Sequence, residues 1–196
     1  MNPALLYLRS RRVPLALSVA IGGVTVIWTL WLIFSTERDA GGLTVVLTVV
    51  LMVGVLSTTL AAPDESLERT ASIRWPWRRV AHLLGVLAVV LGVLLATLVT
   101  GARFGPAVLV LRDAAGLAGL TALGACLVGA ARSWFLPVGW TVVAAIFPQP
   151  TSLAGALATW QAQPPGNRPA AYLAAAFAVA GLVAWAVAGA RNRDDV

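Results

Sequence analysis

The chain has 196 residues, 59% hydrophobic and 11% charged, with a net charge of +6. Soluble domains carry about 25% charged residues, so this composition excludes an ordinary water-soluble domain and indicates an integral membrane protein. All fourteen basic residues are arginine, which excludes a P-loop lysine or a Schiff-base lysine, and the length leaves room for about six spans of ~20 residues but no separate soluble domain. The positive charge is read as topology-setting arginine at span ends, with the lipid bilayer as its surroundings and no nucleic-acid partner.

Residues 1–12 form a short lead in which Leu5, Leu6, Tyr7 and Leu8 stand against Arg9, Arg11 and Arg12, a pattern suited to the membrane interface. The first apolar run, 14–34, is too long for a signal-peptide core and lacks a small-residue cleavage site, so it is read as a retained span. Trp28 and Trp31 mark its far end as belt residues. Glu37, Arg38, Asp39 and the Gly41-Gly42 pair predict a tight outer turn before span 2 at 43–61. Span 3 is expected at 80–100, after a polar stretch.

Gly101, Arg103, Gly105 and Pro106 then interrupt the chain. The apolar piece 107–111 is too short to span and runs into Arg112-Asp113. It is therefore read as an outer-leaflet elbow, with the charged pair at the boundary, because intramembrane charges are costly. Span 4 is expected at 114–131. Its Ala118, Ala122, Cys126 and Ala130 fall at i, i+4 spacing, a small-residue seam that lets another helix approach closely. Span 5, at 134–147, is short and carries Pro137 and Pro148. Residues 149–169 are the one sizeable outer segment, with helix-like composition over 151–160 and then Pro164, Pro165, Gly166 and Pro169 as breakers. Span 6 is expected at 170–190, with a second seam at Ala170, Ala174 and Ala178.

Orientation follows from arginine bias. With the N-terminus inside, ten arginines fall on the inner side: Arg9, Arg11, Arg12, Arg69, Arg74, Arg78, Arg79, Arg132, Arg191 and Arg193. Arg38, Arg103, Arg112 and Arg168 fall outside. The expected architecture is thus a single all-α transmembrane domain over 1–196, six spans with both termini cytoplasmic. His82 is the only histidine and Cys126 the only cysteine. No clustered ligands suggest a metal site, and no intrachain disulfide is possible.

The longest polar interruption, 62–84, has features that connect it to function. Asp64 is a candidate helix N-cap, and Glu65 and Glu68 lie in the first turns, where the helix dipole favours negative charge. Leu67 is the large apolar residue of this part. Trp75, Trp77, Arg78 and Arg79 abut span 3 and suit the membrane surface.

Six spans with a polar helix between spans 2 and 3 resemble permease subunits of the ABC-2 exporter family. That family carries a small-Thr-Leu-Glu-x-Leu…Pro-x-x-Arg loop before span 3. Here Ser66-Leu67-Glu68-Arg69 stands where its Thr-Leu-Glu-x would, followed by Pro76-Trp77-Arg78-Arg79. Glu65 replaces the family's glycine and Thr70 its second leucine, and the proline lies about two residues farther on. The broken segment before span 6 is similar to the family's short extracellular helices.

The resemblance implies a multi-pass permease of the bacterial plasma membrane that pairs with a second permease half and with ABC ATPase subunits. Asp64, Glu65, Leu67, Glu68 and Arg69 would form the coupling helix on the ATPase. ATP and Mg2+ would be bound by that partner, leaving this chain non-catalytic and without a cofactor. Thr, Ser and apolar residues along the possible path suit a hydrophobic or amphipathic cargo better than a highly charged one. A reading from a different class is a six-span membrane scaffold with no cargo path.

Overall fold

A computed structural model describes residues 8–60, 75–147 and 152–190. Its elements are helical: α1 Val13–Phe34, α2 Gly42–Ser57, α3 Trp75–Ala96, α4 Ala107–Val128, α5 Phe135–Ile146, α6 Leu153–Ala158 and α7 Arg168–Ala188. Short 3-10 turns extend α2 to Leu60 and α3 to Val99, and others follow α4 and α6. Among the described residues, five helices are long and apolar enough to cross a membrane, and α5 is a shorter apolar one. The protein is an all-α membrane protein of several spans.

Its surface is that of a chain solvated by lipid. Leu15, Val19, Val26, Ile33, Val183 and Val187 are all exposed. Helices meet this demand because every backbone polar group is satisfied within the segment.

α4 is the central post. Most of α4 is buried inside the bundle whereas most of α1 is exposed, so α1 is peripheral. The most extensive helix pairing is α4 with α7. There Gly119 faces Gly181, and a Cβ on either would overlap backbone atoms of the other helix. One turn away, a Cβ on Gly116 would strike the Trp160 ring and Ala174. Small residues thus bring the two backbones into contact, the main route to tight helix association where lipid removes the hydrophobic drive.

The bundle has two distinct ends. At the far end the α1–α2 and α3–α4 connections are joined by main-chain hydrogen bonds, Ala40 N to Arg103 O and Arg103 N to Arg38 O, each 2.7 Å. Trp28 Nε1 also donates to Ala102 O at 3.1 Å. At the near end Arg11 Nη1 donates to Leu60 O at 3.0 Å. Leu60, Leu83, Ala130 and Trp185 share one apolar cluster there, and Gly189 lies against the Arg79 guanidinium. Arg12 sits between the helical turn at residues 8–10 and α1 in a left-handed conformation, φ 54°. That break lets Leu8 and Arg11 turn back on the bundle while α1 starts afresh.

Several expectations need correction. The piece 107–111 is not an elbow. It is the first part of an unbroken α4 that starts after Pro106 and ends before Gly129, φ 87°. Arg112 and Asp113 are therefore inside a spanning helix, where they pair with each other and Arg112 also reaches two carbonyls of the segment before α7, contacts that offset the cost that argued against this placement. Ala130 lies past the end of α4, in the 3-10 turn Ala130–Arg132, because Gly129 breaks the helix.

α5 has 12 residues, about 18 Å of rise against a hydrocarbon core of about 30 Å. The chain returns to the far end in pieces, through α6 and the 3-10 turn Trp160–Ala162. Trp160 and Gln161 are buried in the bundle, so this part of the segment is a wedge and not an outer loop. α2, α3 and α7 lie close to their expected spans. Asn167 Oδ1 caps α7 by accepting from Ala170 N at 3.0 Å.

Candidate functional site

Two polar groupings stand out in the apolar bundle. The first, toward the far end, is centred on Arg112. Its Nε donates to Asp113 Oδ1 at 2.9 Å, Nη1 to Pro164 O at 3.1 Å and Nη2 to Gln161 O at 3.1 Å. Adjacent helix positions do not normally face one another. Here the guanidinium folds back over Asp113 because the broken segment presents two carbonyls on that side. Arg112 is 7% exposed and Asp113 0%.

The fork geometry of arginine suits this clamp, since its donors diverge in one plane. A belt of side-chain hydrogen bonds extends it. Thr141 Oγ1 lies 2.7 Å from both Gln161 Oε1 and Pro137 O, so its one proton is shared between them. Gln163 Nε2 donates to Thr159 Oγ1 at 2.8 Å, and Asn167 Nδ2 to Gln163 Oε1 at 3.0 Å. Trp140 Nε1 donates to Ala158 O at 2.9 Å. Asp113 Oδ2 and Gln161 Nε2 have no hydrogen-bond partner among the described residues. The belt ties α5, the wedge and the start of α7 to α4.

The second grouping is at the near end, where Arg11, Thr59 and His82 meet. Thr59 Oγ1 donates to Leu56 O at 2.6 Å. That uses its only proton, so His82 Nε2, 2.9 Å away, donates to the hydroxyl oxygen. Arg11 is buried, and its Nη1 lies 3.4 Å from Thr59 O as well as reaching Leu60 O. These contacts join the chain two residues before α1, the end of α2 and the second turn of α3.

The residues singled out in the sequence fall as follows. Asp64, Glu65, Leu67, Glu68 and Arg69 lie outside the described residues. Trp75 opens α3, and Trp77, Arg78 and Arg79 occupy its first turn. Trp77 is 70% exposed, while Arg79 lies against Gly189. Of the α4 seam, Ala118 and Ala122 are buried and Cys126 is half-buried and a free thiol. The backbone-to-backbone contact itself is made by Gly119 and Gly181, which the i, i+4 alanine row missed. Their signal in the sequence was a glycine in each of two small-residue helices. Gln161, Thr59 and Arg11 were not predicted as polar hubs, because nothing local marks a glutamine or threonine as a hub. Among the described residues, no group of three or more His, Cys, Asp or Glu could hold a metal ion.

Comparisons with protein-family models, curated proteins and solved structures returned no match.

Proposed function

We propose that this chain is the six-crossing permease subunit of a bacterial plasma-membrane exporter driven by a separate ATPase. The near end of the bundle is its cytoplasmic face. The sixth crossing is the one made in pieces by α5 and the wedge. The polar stretch between α2 and α3 seats the ATPase, with Leu67 as the apolar knob and Glu65, Glu68 and Arg69 fixing its orientation. The cargo is hydrophobic or amphipathic, and a second permease half completes the path.

One observation supports this reading above the others. Leu60, Arg11, Gly189 and the first turns of α3 gather at one end of the bundle. The described ends of α2 and α3 that flank the polar stretch therefore both lie on the arginine-rich side, the side this reading assigns to the cytosol.

The test is co-expression with an ATPase encoded beside this chain, followed by purification of the complex. Leu67→Asp places a carboxylate in an apolar cleft, at a cost of several kcal/mol. Complex formation and transport-linked ATP turnover fall at least tenfold, while membrane insertion is unchanged. Complex formation and turnover equal to wild type would overturn the permease reading and favour a non-transport scaffold.

A further inference from the structure

α1 and α3 both pack on α2 but hardly meet each other. The gap between them is a groove floored by α2. At the near end it widens to a cavity of about 630 Å³, within the ~300–1,000 Å³ of sites that hold small molecules. Farther along the same gap, Val24, Trp28, Val93 and Thr97 line a second hollow of about 190 Å³.

The large cavity is graded in polarity. Arg78 stands at its near-end rim, and His82 and Thr59 come one turn deeper. Beyond them Leu17, Gly85, Val86 and Val89 are apolar. Arg78 to Val89 is about 17 Å of helix rise, a length suited to an extended hydrocarbon chain. A Cβ added at Gly85 would meet nothing within 4 Å, so the groove is open at that level. The flanking faces of α1 and α3 expose Leu15, Val19 and Leu84, which places the opening among lipid tails.

Among the described residues, the charge distribution points to the kind of occupant. Exposed Arg9, Arg12, Arg78 and Arg132 collect at the near end. The carboxylates among the described residues, Glu37, Asp39 and Asp113, all belong to the far half. We propose that the groove binds one anionic phospholipid from the leaflet at the near end, with its phosphate on Arg78 and an acyl chain along Gly85, Val86 and Val89. Basic pockets between membrane helices recognise such headgroups. An arginine offers five donors, enough to take a phosphate in the bidentate manner alongside other contacts. A soluble phosphate would leave the apolar length unfilled, and a neutral apolar ligand would gain nothing from the basic rim. The assignment holds for a permease or a scaffold alike.

The experiment is native mass spectrometry of the full chain, titrated in detergent with dioleoyl phosphatidylglycerol, dioleoyl phosphatidylcholine or glycerol phosphate. One phosphatidylglycerol is retained per chain, roughly tenfold tighter than phosphatidylcholine, as expected for one charge-assisted contact. Glycerol phosphate at equal concentration is not retained. Arg78→Gln abolishes the preference for the anionic lipid. Gly85→Leu fills the groove and lowers occupancy at least tenfold at native far-UV circular dichroism; Ala81→Leu, on the same lining, replaces it if Gly85→Leu does not fold. Equal retention of the two lipids, retention of glycerol phosphate, or undiminished occupancy in the folded groove-filling variant would each overturn the assignment.

Discussion

Adding one methyl group at Gly119 should loosen the whole bundle, although alanine is the better helix former. The added carbon would overlap the Phe177 carbonyl oxygen and the Ala178 Cα. Carbon and carbonyl oxygen approach to about 3.3 Å at closest, so α4 and α7 must part by roughly 1 Å. A radial gap of that size forfeits about a quarter to a half of the dispersion energy of each contact along the seam. Overpacking of this kind costs about 1–3 kcal/mol, and more when backbone and not a side chain must yield. The helix-propensity gain of glycine to alanine returns about 1 kcal/mol. The net expectation is a loss of about 2 kcal/mol.

Gly54 on α2 provides the control, since a Cβ there meets nothing within 4 Å. Gly54→Ala should be neutral or stabilising by up to about 1 kcal/mol. Two chemically identical substitutions should thus differ by about 3 kcal/mol, roughly a hundredfold in the unfolding equilibrium. Reversible unfolding in mixed micelles, titrated with dodecyl sulfate and followed by far-UV circular dichroism, measures both. If Gly119→Ala and Gly54→Ala shift the midpoint equally, the backbone contact between α4 and α7 is not what holds the bundle.

Arg112→Leu should cost about 3–5 kcal/mol by leaving the fully buried Asp113 carboxylate without its cation. The double change with Asp113→Leu should recover most of that loss in the same assay, and a double variant no better than the single would sink the ion-pair explanation. Topology can be mapped with single thiols in a Cys126→Ala background. Gly166→Cys, exposed in the far-end connection, should react with an impermeant maleimide on intact cells, and Ala131→Cys, exposed near the start of α5, only after permeabilisation; the reverse pattern would invert the bundle. Gln161, at 1% exposure, is no site for such a probe.

The helical class and the positions of α1, α2, α3 and α7 were legible because unbroken apolar runs of span length admit one solution in lipid. The breakers at Gly101 to Pro106 were legible for the same reason, since glycine and proline punctuate locally. The start of α4 was not. Arg112 and Asp113 carry a cost that sequence alone assigns to a boundary. What offsets it lies about 50 residues away, in the carbonyls of Gln161 and Pro164. The alanine rows do not encode the register of α4 on α7. Gly119 and Gly181 meet because of crossing geometry, which periodicity does not encode. Thr59 and His82 are 23 residues apart with a polar stretch between them, and no local pattern joins them.

The two ends of the first four helices are held by different materials. At the far end the two connections are joined main chain to main chain, through Ala40 N and Arg103 N, with the Trp28 indole added from α1. At the near end it is side chain to main chain or side chain to side chain, through Arg11, Thr59 and His82. Ordinary amino-acid replacement can therefore retune the near end residue by residue. The two main-chain donors at the far end survive any exchange except one to proline, at position 40 or 103, which has no N–H to give. Replacement can thus adjust the grip of the basic end side chain by side chain, while the pair of main-chain bonds at the opposite joint does not depend on side-chain identity.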